Sequence, residues 1–177
     1  MANSPLPVDP IAEARRQWIA HGWEEAADGM SAVTSVMRAH QLLLADVDRA
    51  LKPYGLSFAR FEMLRLLAFT REGRMPMANA TARLQVHPAT VTSAVDRLER
   101  DGLLNREPHP NDGRASVLAL TDQGRTLAEE ATTSLNDLVF SRVALDRAEL
   151  KILNHVIARL RLEAGDFIQH RPLPDPL

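Results

Sequence analysis

The stretch Pro108–Arg114, PHPNDGR, places an aspartate and an arginine on either side of a glycine, among turn-forming residues. An arginine at the tip of such a loop can enter the minor groove of DNA, where negative potential is concentrated. Asp112, two residues before Arg114, can orient that arginine by a charge-assisted bond. Upstream, a helical wheel of Pro88–Asp101 sets Val91, Val95 and Leu98 on one side and Ala89, Thr90, Thr92, Ser93, Asp96, Arg97 and Arg100 on the other. Small and hydroxylated residues in the first turns allow close approach to base edges and thymine methyls, and the later arginines can reach phosphates. Taken alone, that face is also what any solvated amphipathic helix shows. The arginine loop beside it is what points to duplex DNA.

Other chemistries find little support. The chain has no cysteine, which removes disulfides, thiolate metal sites and cysteine nucleophiles together. Its six histidines, at 21, 40, 87, 109, 155 and 170, include no pair at i, i+4, and no metal site is expected. There is no P-loop, no G-x-S-x-G, no H-E-x-x-H and no dinucleotide glycine pattern, so neither an enzyme nor a cofactor is expected. The net charge of −2 gives no bulk basic footprint, although phosphate contacts need only local arginines.

Those residues require a scaffold, and the chain supplies the signals for one. Asp9-Pro10 reads as an N-cap and first-turn proline, opening a helix to about Ala27, with a break at Gly29 and a new cap at Ser31. Val33, Val36, Leu43, Val47 and Leu51 share a helical face, which Pro53-Tyr54-Gly55 ends. Ser57 caps a third helix carrying Phe58, Phe61, Leu64 and Leu67. Pro76 opens a short helix to about Leu84, and a tight connection leads to the helix Pro88–Asp101, with Gly102 at its C-cap. The period then changes: Leu103–Glu107 and Ala115–Leu120 read as strands of a hairpin. Thr121 caps a long helix to about Arg142, and Asp146 with Glu149 forms a capping box for a last helix to about Phe167.

Two short helices joined by a tight turn and followed by a hairpin make a winged helix-turn-helix. The stretches YGLSFARFEMLRLL, HPATVTSAVDRLERDGLL, NREPHPNDGRASVLALTDQG and LDRAELKILNHVIARL, in that order, resemble the MarR family over about Val33–Glu163. The fold class expected is therefore mainly α with a small β-hairpin wing: a winged helix-turn-helix lobe plus an all-helical dimerisation domain of N- and C-terminal helices. The resemblance implies a homodimer whose two lobes reach successive major grooves of a pseudo-palindromic operator. Carried over by position, the DNA-facing residues are Ala89, Thr90, Thr92, Ser93 and Arg97, with Arg114 as wing arginine, Asp112 as its brace, and Arg83 and Arg106 as phosphate contacts. His87 stands where the family has a small N-cap, Ser93 where a basic residue is common, and Asn79-Ala80-Thr81 where Glu-Leu-Ala is frequent. His87 reads either as a cap or as a pH-sensitive phosphate contact.

The expected divisions are an extended arm at 1–9, N-terminal helices at 10–53, the winged lobe at 54–120, C-terminal helices at 121–168 and an extended tail at 169–177. The resemblance also implies release from DNA by a small aromatic or acyl ligand. Candidate ligand-binding residues are Arg15, Trp18, Trp23, Arg38, His40, Tyr54 and Phe58, with His21 nearby. The tryptophans could equally anchor the first helix on the dimer body. Urate is not expected, because the urate-responsive subgroup has an arginine where Ala94 stands and an aspartate where Glu62 stands. The start MANSPLPVDP has no basic leader or apolar core, and no segment approaches membrane-spanning length, so a cytoplasmic protein is expected. The competing reading is a winged-helix dimer that serves as a protein-interaction module without sequence-specific DNA binding.

Overall fold

The computed structural model describes residues 6–84, 86–109 and 112–168, the side chains of 112–114 excepted. The chain divides into two compact units, Met1–Arg49 and Ala50–Leu177.

In the first unit, Asp9 Oδ1 accepts from the Ile11 amide at 2.9 Å and starts α1, Pro10–Ala20. The helix ends at Ala20, short of the expected Ala27, because Gly22 adopts φ 82°, a left-handed conformation open to glycine at little cost. Helix α2 then runs unbroken over Glu24–Leu51. Gly29 does not interrupt it and Ser31 caps nothing: a single glycine costs a helix about 1 kcal/mol, too little to stop one of this length. Trp23 therefore falls in the turn, where its ring meets Trp18 edge-on at 5.3 Å and stacks with His21 at 5.7 Å. Arg15 pairs with Asp28 at 2.6 Å across the same turn.

The second unit is built around α3, Phe58–Phe69, capped by Ser57. Helices α4 (Met77–Leu84), α5 (Pro88–Arg100) and α6 (Asp122–Leu138) all pack against it. The expected wing strands are present and longer, β2 at Leu104–His109 and β3 at Asp112–Leu120. A third strand, β1 at Arg74–Pro76, was not expected; it pairs Met75 with Leu118 and gives an antiparallel sheet in the order β1-β3-β2. Pro76 thus closes an edge strand, where its missing N–H costs nothing, and the following helix begins one residue later. Helix α6 stops at Leu138 and gives way to a 3-10 turn at Phe140–Arg142, and α7 spans Arg147–Glu163 behind the expected capping box.

The core of this unit is aliphatic. Met63, Leu64 and Leu67 of α3, Val91, Val95 and Leu98 of α5, Leu104 and Leu118 of the sheet and Leu135 of α6 are fully buried. Burying each such side chain is worth about 1.5–3 kcal/mol. Helix α6 thus shares this core through Leu135 and packs on α3.

The junction of α5, β2 and α6 is the tightest point. Leu103 donates to Leu98 O at 2.9 Å and Gly102 to Glu99 O at 3.0 Å, a Schellman closure of α5 with Gly102 at φ 70°. Thr121 Oγ1 donates to Gly102 O at 2.9 Å and accepts from the Gly124 amide at 3.0 Å. The backbone amide of Thr121 donates to Leu103 O at 3.2 Å.

Candidate nucleic-acid interface

Helix α5 is held by apolar contact along one side and free along the other. Val91, Ala94, Val95 and Leu98 are buried, whereas Ala89, Thr90, Thr92, Ser93, Asp96, Arg97 and Arg100 are exposed. The division predicted from the wheel is the one observed. Ser57, Ala59 and Arg60 at the start of α3 form a shallow hollow with Ala89, Thr90, Ser93 and Arg97; a second hollow is lined by Ala89, Thr92, Ser93, Asp96, Arg97 and Arg100. The exposed ridge thus stands between two concave surfaces. Thr92 donates its hydroxyl to Pro88 O at 3.1 Å, leaving its methyl and an oxygen lone pair outward.

His87 is the N-cap. Its Nδ1 accepts from the Ala89 amide at 3.2 Å, so of the two readings drawn from the sequence the geometry provides the cap. An accepting Nδ1 leaves the ring proton on Nε2, at the exposed edge.

Charge on this face is organised by two arginines from outside the helix. Arg106 of β2 donates through Nη2 to Asp96 Oδ1 at 2.5 Å and through Nη1 to Glu99 Oε2 at 2.6 Å. Its backbone N–H donates to Glu99 Oε1 at 3.1 Å. The hydrogen bond to Asp96 is the main reason its guanidinium is held above the ordinary arginine value. Arg60 of α3, nine-tenths buried, ion-pairs with Asp101 and donates to Gly55 O at 2.8 Å. Arg83, Arg97 and Arg100 are exposed and without an ion pair among the described residues.

Of the expected DNA-facing residues, Ala89, Thr90, Thr92, Ser93 and Arg97 come together on one surface, with His87 at its start and Arg83 exposed at the end of α4. Arg106, expected at phosphate, forms ion pairs with Asp96 and Glu99. The side chains of Asp112 and Arg114 lie outside the described residues, although β3 begins at Asp112. Arg60 was missed: its partner is 41 positions away, and nothing in local periodicity signals it.

The expected ligand residues are divided between the two units. Arg15, Trp18, Trp23, Arg38 and His40 belong to the first unit, where the tryptophans meet and Arg38 donates to Gln41 at 3.2 Å. Tyr54 and Phe58 belong to the second, Tyr54 beside Glu130, Thr133, Ser134, Asp137 and Leu138, Phe58 stacked on Phe61 at 6.2 Å. Glu62, half-buried on α3, has its carboxyl pushed above the usual range by desolvation. No cluster of three potential metal ligands occurs among the described residues. No helix among them is long and apolar enough to cross a membrane.

The MarR family model matches residues 56–116. The chain is 44% identical to Sco5413, a MarR family transcriptional regulator from Streptomyces coelicolor, over 80% of this chain and 99% of that one, with a TM-score of 0.71. It is 25% identical to Sco3205 of the same organism, a MarR family regulator solved in complex with DNA, over 82% of this chain and 92% of that one, with a TM-score of 0.66. The HTH-type transcriptional repressor YetL of Bacillus subtilis is 34% identical over 76 residues, 43% of this chain and 46% of that protein. The chain spans between 46% and 65% of the length of two curated relatives it matches, YetL among them.

Proposed function

The chain belongs to the MarR family of winged-helix transcriptional regulators, and we propose that it binds a pseudo-palindromic operator as a homodimer and represses transcription until a small ligand releases it. The observation that carries this reading is the exposed ridge of α5. Small and hydroxylated side chains lead, Arg97 and Arg100 follow without an ion pair among the described residues, and Asp96, Glu99 and Asp101 are paired with Arg106 and Arg60 from outside the helix. Ala89, Thr90, Thr92 and Ser93 would contact base edges; Arg83, Arg97 and Arg100 would contact phosphate; Arg114 would enter the minor groove with Asp112 as its brace. Related proteins support the class of activity: Sco3205 was solved in complex with DNA, and YetL is a transcriptional repressor.

The homodimer rests on apolar faces left open in the single chain. On α7, Ile152, Leu153, Val156 and Leu160 are 45–65% exposed, and on α2 Val33, Val36, Met37, Leu42 and Leu43 are 47–62% exposed. Stripes of this length are rarely left to water, and a two-fold pairing of helices would cover them in both copies at once. For the effector, Trp18, His21 and Trp23 with Arg15 offer stacking surface and a cation, and Tyr54 with Phe58 a second aromatic region.

A gel shift with duplexes flanking the protein's own coding sequence tests the reading. Binding tighter than micromolar at low salt is expected; no shift with any duplex would favour the interaction-module alternative. Thermal shifts across phenolic, acyl-CoA and purine compounds test the effector, since a ligand of the folded state raises its melting temperature.

A further inference from the structure

We infer that Arg106 is a positioning residue of the DNA-reading surface and does not contact DNA: it fixes wing strand β2 to the recognition helix and offsets part of the charge of two carboxylates that would repel phosphate. The inference rests on the DNA-binding reading above and deepens it.

Three contacts join one residue of β2 to one turn of α5. Both terminal nitrogens of the guanidinium are engaged, one by Asp96 at 2.5 Å and one by Glu99 at 2.6 Å, and the backbone amide of the same residue reaches Glu99 at 3.1 Å. The last bond uses the fact that β2 is an edge strand, whose outward amides need partners. A planar, forked cation suits two carboxylates at once, whereas a compact ammonium does not. These bonds use two of the guanidinium's five N–H donors, but they hold its plane and share its single charge between two carboxylates, which leaves little of that charge for a phosphate.

The location of the carboxylates makes the charge effect important. Asp96 lines the same hollow as Thr92, Ser93, Arg97 and Arg100. With Arg106 paired to Asp96 and Glu99, and Arg60 to Asp101, the cations left for phosphate on α5 are Arg97 and Arg100. The same clamp fixes the distance between wing and helix, two elements that must meet adjacent grooves together.

The test uses the full chain and a duplex that the wild-type protein enriches from a random-sequence pool. Affinity is measured against salt, well below the melting temperature, for Arg106→Gln, Arg106→Lys and Arg106→Gln in a D96N/E99Q background. A positioning role predicts a tenfold or greater loss for Arg106→Gln, and in the D96N/E99Q background, where no carboxylate is exposed, a salt slope that Arg106→Gln leaves unchanged. It predicts a similar loss for Arg106→Lys, and less than a twofold further effect once the carboxylates are gone. It also predicts that the preference for the enriched duplex over a scrambled one narrows, which mere loss of stability would not produce.

A slope made shallower by about one unit by Arg106→Gln in the D96N/E99Q background, near-normal binding by Arg106→Lys, and an undiminished loss in the D96N/E99Q background would overturn the inference. If Arg106→Gln does not fold, Arg106→Lys alone decides between the two. Failure of the wild type to enrich any duplex would instead overturn the DNA-binding reading, and this inference with it.

Discussion

Replacing Gly124 with alanine is the sharpest probe of how the wing, the recognition helix and α6 are joined. A Cβ built on Gly124 would lie 2.0 Å from Leu103 O, 2.9 Å from Leu103 C and 2.9 Å from Leu120 Cδ1. Ordinary non-bonded contact needs about 3.5 Å, so the chain must part by more than an ångström. The first obstacle is backbone, and Leu103 O already accepts from the Thr121 amide. Over-packing costs about 1–3 kcal/mol where side chains can adjust, and rigid backbone places this case at the upper end. Alanine returns about 1 kcal/mol through helix propensity. The net expectation is a loss of about 2 kcal/mol, or about 4–8 °C in melting temperature for a chain of this size. Urea unfolding should show a lower midpoint at unchanged m. An unchanged or higher midpoint would mean that α6 does not approach Leu103 this closely, and the junction described above would be wrong.

Other expectations concern the cap, the wing, one carboxyl and the open helix face. His87→Ala should cost about 1 kcal/mol by removing the cap of α5, whereas His87→Asn should cost only a few tenths, since asparagine caps equally well; equal losses in urea unfolding would contradict the capping role. Arg114→Ala should weaken DNA binding and lower the salt slope by about one unit while leaving the oligomer intact, as read by gel shift and gel filtration. Because burial raises the folded-state value of Glu62, its contribution is full below the ordinary 4.5 and is lost as pH rises through the raised value. Glu62→Gln should therefore stabilise at neutral pH and give no gain in acid, where a gain at both pH values would refute the cause assigned. Val156→Asp, in the middle of the exposed stripe of α7, should raise the dimer dissociation constant at least tenfold by sedimentation.

What could be read from the sequence depended on whether the signal was local. The apolar spacing of Val91, Val95 and Leu98, the proline at the first turn of α5 and Gly102 at its end defined the recognition helix within a residue. Asp146 and Glu149 announced α7 by a capping box that is present in full. Strand β1 escaped because three residues are too few for a period, and its existence depends on pairing with Leu118, more than forty positions away. The break expected at Gly29 fails because a glycine's cost is small against the hydrogen bonds on either side of it. Arg106 was expected as a phosphate contact on the family resemblance, and its partners Asp96 and Glu99 follow from the way β2 lies along α5. Arg60 gave no local sign at all, since Asp101 meets it only after α3 and α5 have packed.

The central claim is that the exposed ridge of α5 reads DNA sequence. It is tested most directly by enriching duplexes from a random pool with the wild-type chain and with a Thr90→Ala, Ser93→Ala double variant. The account predicts that the wild type enriches a two-fold symmetric site and that the variant enriches a different or degenerate one at comparable salt slope, because base contacts are lost and phosphate contacts kept. If both proteins enriched the same site with equal discrimination, or neither enriched any, α5 would not be the reading element.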